Sequence, residues 1–126
     1  MIMAKILISE DEPDIRELIA FTLRFAGHEV ITSSNGQEAC DLTLVESPDL
    51  VLFDVRMPKM TGYEACRKLK QNPQTKHIPV IFLSAKGQEN EIEQGLAAGA
   101  EEYLLKPFSP EQLNEQIRAI LKKFGK

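Results

Sequence analysis

The chain has 126 residues and a formal net charge of −4, from 15 Lys and Arg against 19 Asp and Glu. Its length fits one domain, and 43% hydrophobic with 27% charged residues is the usage of a globular protein, which excludes a disordered chain. The acidic balance argues against direct binding of DNA or RNA, because nucleic-acid-binding domains normally carry a basic surplus.

Five short apolar runs predict five β-strands. They are rich in β-branched and aromatic residues and are continuously apolar, which indicates strands covered on both faces. The second and fifth runs carry a glutamate, so we expect them at the edges of the sheet. The runs are Lys5–Ser9, Glu29–Thr32, Leu50–Phe53, Pro79–Leu83 and Glu102–Leu105.

The segments between and after these runs predict five helices. Pro13 suits the first turn of the first helix, whose expected apolar face is Ile15, Leu18, Ile19, Thr22 and Phe25. The second, third and fifth helices begin at capping residues that stand three positions before Glu or Gln, namely Asn35, Thr61 and Ser109. The fifth continues as an apolar stripe of Leu113, Ile117, Ile120, Leu121 and Phe124.

The fourth helix, over 88–98, has weaker signals than the others. Ile92 and Leu96 are its only large apolar residues, and Gly95 lowers its helix propensity. We therefore expect it to shift or fray more readily than its neighbours.

Alternating strands and helices predict an α/β fold with residues 1–126 as one domain. Five strands are too few to close an eight-stranded barrel. A flavodoxin-like, doubly wound parallel sheet remains, with five helices and the strand order 2-1-3-4-5. In that order the first and third strands meet at the topological switch point, so functional side chains are expected just after them.

The two cysteines and the N-terminus indicate the cellular compartment. Cys40 and Cys66 lack the paired spacing of a zinc site and are interpreted as buried thiols in a reducing cytoplasm. The N-terminal apolar stretch contains Lys5 and is too short for a signal peptide or a membrane span. We expect a cytoplasmic protein that does not insert into membranes.

Polar side chains stand at the predicted carboxyl ends of the strands. Two carboxylates about 4 Å apart repel by about 4 kcal/mol at an effective dielectric of 20, so a cluster of them needs a cation. Lysine supplies one positive charge, and oxygen ligands in a partly solvated cleft suit Mg²⁺. The residues concerned are Glu10, Asp11, Glu12, Asp54, Ser84 and Lys106.

Four stretches at these strand ends resemble response-regulator receiver domains, in order and along the whole chain. ILISEDEPDIRELI at 6–19 resembles the acidic-pair segment of the family, and FDVRMPKMTG at 53–62 resembles its phosphoacceptor strand and loop. IFLSAKG at 81–87 and EYLLKPF at 102–108 resemble the switch-hydroxyl and lysine segments.

The resemblance implies a phosphorylation-activated switch of a two-component or phosphorelay system. Asp54 would accept a phosphoryl group from a histidine kinase or a histidine phosphotransfer protein. Mg²⁺ would be held by Asp11, Asp54 and the backbone carbonyl of Arg56, with Glu10 assisting. The family commonly has Asp where this chain has Glu10, so direct coordination, action through water and a solvent-facing side chain all stay open.

The resemblance also implies roles for the later strand ends. Ser84 and Lys106 would each bind an oxygen of the phosphoryl group, and Tyr103 would move between exposed and buried positions as Ser84 moves. A Tyr103 packed permanently against the sheet edge is the alternative. Arg56 and Lys86 flank the path of the hydrolytic water in such domains, and we expect them to shield the phosphoryl group rather than assist hydrolysis or stay solvated.

The implied output is a change in the face formed by the fourth helix, the fifth strand and the fifth helix, which binds a downstream protein. We expect a stand-alone switch, although a piece of a longer regulator would look the same. Such a domain is not an enzyme beyond its own phosphotransfer and autodephosphorylation. Two alternatives are a pseudo-receiver that binds partners without phosphorylation and a hydrolase with an aspartyl-phosphate, which needs a second Asp where Arg56 stands.

Overall fold

Strands and helices alternate along the part of the chain that the structure, a computed structural model, describes: residues 4–55, 57, 60–85, 89–106 and 109–126. The strands are β1 Lys5–Ser9, β2 Glu29–Ser33, β3 Leu50–Asp54, β4 Val80–Ala85 and β5 Glu102–Lys106. The helices are α1 Pro13–Phe25, α2 Gly36–Glu46, α3 Gly62–Gln71, α4 Glu89–Ala97 and α5 Pro110–Lys123.

The five strands form one parallel sheet in the order β2-β1-β3-β4-β5, which confirms the predicted topology and both predicted edge strands. β1 and β3 are direct neighbours, with Ser9 opposite Phe53. The first residues after β1 and the last residue of β3 therefore meet at one end of the sheet, where the chain reverses its winding direction.

Successive strand residues point to opposite faces of the sheet and build two hydrophobic cores. On one face Ile6, Ile8, Leu52 and their neighbours pack under α1 and α5. On the other face Leu7, Phe53, Phe82 and their neighbours pack under α2 and α3 and against Ala98. Burial on both faces explains why the strands read as continuous apolar runs.

Three helices begin at the residues that the capping pattern predicted. The Asn35 side chain accepts a hydrogen bond from the Glu38 backbone N–H at the start of α2. Thr61 and Ser109 form reciprocal capping boxes at the starts of α3 and α5. The predicted stripe of α5 is also confirmed, since its residues face the core on the α1 side of the sheet.

The predicted apolar face of α1 is partly wrong. Ile19 and Thr22 are buried as expected, but Leu18 is 54% exposed and Phe25 is 85% exposed. The buried arc is centred instead on Ile19 and Leu23, which stand one turn apart. At about 100° per residue, Leu18 and Phe25 fall on the flank of the helix beyond that arc.

The anchors predicted for α4 are also partly wrong. Leu96 is 48% exposed, and Gly95 is the residue of α4 that is buried. A Cβ atom at Gly95 would stand 2.8 Å from the ring of Phe82. The missing side chain therefore lets the backbone of α4 approach the sheet closely, where a larger residue would hold it away.

Both cysteines are buried free thiols, and burial raises the pKa of each, that of Cys66 to about 12. Neither thiol is therefore set up as a nucleophile. Among the described residues, no helix is both long enough and apolar enough to cross a membrane.

Candidate functional site

Three carboxylates meet at the carboxyl end of the sheet. Glu10 and Asp11 follow β1, and Asp54 ends the neighbouring β3. One carboxylate oxygen from each of the three lies within 4.8 Å of the others. The structure thus brings together the acidic residues that the sequence predicted at the switch point.

Glu10 is fully buried, so its side chain does not face solvent. Its Oε1 accepts a hydrogen bond of 3.2 Å from the Glu12 backbone N–H, while its Oε2 has no hydrogen-bond partner within the part of the chain that the structure describes. Burial, followed by the charge of Asp54, raises the pKa of Glu10 to about 7. A buried carboxylate oxygen without a donor is a costly arrangement that a bound cation would relieve.

Lys106 places a positive charge against this cluster. Its ammonium donates to Asp54 Oδ1 over 3.0 Å and lies 3.6 Å from Glu10 Oε2. Burial opposes the charged ammonium, but Asp54 and Glu10 outweigh burial and raise the pKa of Lys106. Lys106 thus stays protonated beside the acceptor at neutral pH.

The donor set fits Mg²⁺. Asp11 and Asp54 each offer one carboxylate oxygen, and Glu10, whose buried Oε2 has no hydrogen-bond donor among the described residues, offers a third within the same 4.8 Å. Mg²⁺ prefers such oxygen ligands and keeps several of its waters, which the exposed position of Asp11 allows. Arg56, whose backbone carbonyl was predicted to complete the set, lies outside the described residues.

Ser84 is the penultimate residue of β4, and its hydroxyl is hydrogen-bonded to α4 and not to the acidic cluster. Its side chain is buried, and its hydroxyl donates to Glu91 Oε1 over 3.0 Å. Glu91 belongs to the first turn of α4, and its backbone carbonyl accepts a hydrogen bond from the Tyr63 hydroxyl. Sequence patterns did not single out Glu91, because no motif links a residue of α4 to the end of β4.

A groove of about 540 Å³ leads from the acidic cluster to α4. Asp11 and Met57 are among its lining residues, and Asn90, Glu91 and Gln94 line it from α4. Asp54 itself is not fully buried, since 13% of its side chain is exposed. An aspartate flanked by acids and a lysine is a suitable arrangement for phosphoryl transfer, which depends on positioning and charge stabilisation.

The remaining predicted residues differ in what the structure says of them. Tyr103 lies in β5 opposite Phe82 of β4 and is 39% exposed at the sheet edge. Lys86 and Arg56 both lie outside the described residues, so their predicted role near the phosphoryl group stays a prediction.

Comparison with known proteins agrees with the geometry of the site. The family model of the response regulator receiver domain matches residues 6–118. The chain is 42% identical over 125 residues to the phosphate regulon transcriptional regulatory protein PhoB of Pseudomonas aeruginosa, an alignment that covers 99% of this chain and 55% of that protein. It is 41% identical to the alkaline phosphatase synthesis transcriptional regulatory protein PhoP of Bacillus subtilis, covering 94% of this chain and 49% of that protein.

The fold has a close counterpart among solved structures. The chemotaxis response regulator CheY4 of Vibrio cholerae superposes with a TM-score of 0.88 at 35% identity, over 94% of this chain and 98% of that one. The chain spans about half the length of the curated relatives it matches, but nearly all of this structural neighbour.

Proposed function

The chain belongs to the response regulator receiver domain family of two-component systems, and on that premise we propose that Asp54 is its phosphoacceptor. The phosphoryl group comes from the phosphohistidine of a histidine kinase or a histidine phosphotransfer protein. The observation that carries this proposal is the 3.0 Å contact of Lys106 with Asp54 beside the carboxylates of Glu10 and Asp11. A cation, an acceptor and an acidic cluster thus meet at one end of the sheet.

In the transfer step, a carboxylate oxygen of Asp54 attacks the phosphorus atom while the phosphorus–nitrogen bond breaks and the imidazole leaves. Lys106 neutralises part of the charge on the phosphoryl oxygens, and the Ser84 hydroxyl donates to one of them. Asp11, Asp54 and the backbone carbonyl of Arg56 would hold Mg²⁺, with Glu10 as a further carboxylate. Bound there, Mg²⁺ supplies charge neutralisation for the attack of an anion on an anion.

The output follows from the elements that border Ser84 and Lys106. α4, β5 and α5 form the face that changes on phosphorylation and binds a downstream protein, with Tyr103 as the aromatic switch. Residues 1–126 act as one receiver domain in the cytoplasm, without contact to nucleic acid. Its chemistry is limited to accepting and losing its own phosphoryl group. The exposed position of Tyr103 and the acidic net charge support these assignments.

The lifetime of the phosphorylated state is a further part of the proposal. Arg56 and Lys86 shield the phosphoryl group from the hydrolytic water, because Lys106 already supplies positive charge beside the acceptor. Shielding requires faster decay of the phosphorylated form in Arg56→Ala and Lys86→Ala at constant Mg²⁺. Slower decay would mean that these cations assist hydrolysis.

Intact-mass measurement tests the acceptor directly. With Mg²⁺ and acetyl phosphate, wild type should gain one phosphoryl increment, Asp54→Asn should gain none, and Asp41→Asn should label like wild type because Asp41 lies exposed on α2. Equal labelling of Asp54→Asn would contradict the assignment. An unlabelled wild type would favour a pseudo-receiver, and turnover of p-nitrophenyl phosphate would favour a hydrolase.

A further inference from the structure

The Ser84 hydroxyl is already engaged in this structure, by a carboxylate of α4 rather than by the acceptor site. We propose that Glu91 is a positioning residue that opposes phosphorylation by holding this hydroxyl. Ser84 must break its bond to Glu91 before it donates to the phosphoryl group. This inference rests on the proposed function, because it requires Asp54 to be phosphorylated and Ser84 to bind the phosphoryl group.

A single proton makes the two bonds of Ser84 mutually exclusive. A serine hydroxyl has one O–H donor, whereas an ionised carboxylate and a phosphoryl group only accept. The Ser84 side chain is 1% exposed, so solvent has little access to replace a lost partner. Asp54 pairs with Leu83 in the sheet register, which puts Ser84 one residue beyond the level of the acceptor. Glu91 and a phosphoryl group on Asp54 therefore compete for the same donor.

Charge adds to this competition. Phosphorylation brings about −1.5 to −2 charge to Asp54, and Asp11, which belongs to the same acidic cluster as Asp54, lines one groove together with Glu91. Once Ser84 turns to the phosphoryl group, the Glu91 carboxylate loses the hydrogen bond that Ser84 donates, and the new charge adds to the negative charge of the groove. The free energy of that bond thus sets part of the cost of phosphorylation.

The competition also gives α4 a direct link to the acceptor. Glu91 lies in the first turn of α4, and the helix rests on Phe82 through Gly95. Releasing Glu91 removes a bond between α4 and β4, while the Tyr63 hydroxyl still holds the backbone at the same residue. α4 then becomes the first element to respond when Ser84 moves.

The rate of labelling by acetyl phosphate with Mg²⁺ tests this role. A hydrogen bond to a charged group is worth at least a factor of about 10, so Glu91→Ala should label about tenfold faster than wild type. Glu91→Gln keeps a neutral acceptor and should be intermediate. Glu93→Ala, which removes an exposed charge from the same helix, should label like wild type.

The Ser84→Ala background separates the hydrogen bond from a general charge effect. If Glu91 acts through Ser84, Glu91→Ala should have no effect on the labelling rate of Ser84→Ala. The proposal would be overturned if Glu91→Ala accelerated labelling equally in both backgrounds, or if it did not accelerate labelling in the wild-type background.

A double-mutant cycle on urea unfolding of the unlabelled chain should show coupling between Ser84 and Glu91. Additive effects of the two substitutions on the free energy of unfolding would also overturn the proposal. If wild type gained no phosphoryl group from acetyl phosphate with Mg²⁺, the proposed function would be refuted. This inference would then fail with it, even if the unfolding cycle showed coupling.

Discussion

Lys106 donates to Asp54 across an intervening strand. The two residues end β5 and β3, and β4 lies between those strands in the sheet. With neighbouring strands about 4.8 Å apart, the long lysine side chain is what bridges the gap of about 10 Å. The ion pair therefore ties the edge strand β5 to the acceptor, so a change of charge at Asp54 acts directly on β5.

The ion pair of Lys106 with Asp54 should contribute more to stability than the shorter but more exposed pair of Lys123 with Glu102. Lys106→Met leaves the partly buried carboxylates without their cation and should lower the free energy of unfolding by about 2 kcal/mol or more. Lys123 contacts Glu102 over only 2.6 Å but is 61% exposed, so Lys123→Met should cost less than about 1 kcal/mol. Urea unfolding at pH 7 in EDTA measures both, and equal costs would contradict the argument from burial.

Glu10 should make the metal-free protein less stable as the pH rises. Its pKa is about 7 in the folded chain against an ordinary value of 4.5, so the folded state binds more protons between these values. Stability should therefore fall from about pH 4.5 to pH 7, by about 3 kcal/mol for this shift. Glu10→Gln should remove that part of the slope, whereas Glu115→Gln, on the exposed side of α5, should keep it. If the free energy of unfolding had the same pH dependence in wild type and Glu10→Gln, the raised pKa of the buried Glu10 carboxyl would be contradicted.

Metal binding should reverse this destabilisation. Mg²⁺ binds the folded cluster and not the unfolded chain, so a concentration of about 100 times its Kd should stabilise wild type by about 2.7 kcal/mol. Asp54→Ala removes one repelling carboxylate, and we expect a higher melting temperature than wild type in EDTA and little further gain with Mg²⁺. Asp41→Ala provides the control with an unchanged Mg²⁺ response. A wild-type melting curve indifferent to millimolar Mg²⁺ would count against the site.

The sheet and the acidic cluster could be predicted from local sequence patterns. The apolar runs indicate the strands, and the strand order brings the residues at the ends of β1 and β3 together. Asp11, Asp54 and Lys106 needed only the correct topology to meet, and capping residues such as Thr61 act within one helical turn. The bond between Ser84 and Glu91 had no such local pattern, since it depends on how α4 packs on the sheet.

The sequence also did not predict which side of each helix faces the sheet. A helical period shows that α1 has an apolar side, but Leu18 and Phe25 continue the same spacing on a second stripe beside the buried one. Only the shape of the sheet decides which stripe is covered. Similarly, the low helix propensity of Gly95 gave no indication that its missing side chain makes room for Phe82.

Gly95 is accordingly the residue through which the position of α4 can be tested. In an exposed helix, Gly→Ala gains about 1 kcal/mol of helix propensity. Here the added methyl group would stand 2.8 Å from the Phe82 ring, which is itself packed against the rings of Phe53 and Tyr63. Because that ring has little room to yield, the methyl group should push α4 away from the sheet. We expect Gly95→Ala to lower the free energy of unfolding by about 1–2 kcal/mol despite the propensity gain.

The displaced helix should also be visible locally. Backbone hydrogen exchange over 89–97 should become faster in Gly95→Ala, because α4 loses close contact with β4. Gln94→Ala, an exposed position in the same helix, should change stability by no more than about 0.5 kcal/mol and leave exchange unchanged. A Gly95→Ala protein that is as stable as wild type, with equally slow exchange in α4, would show that the helix does not depend on this close approach.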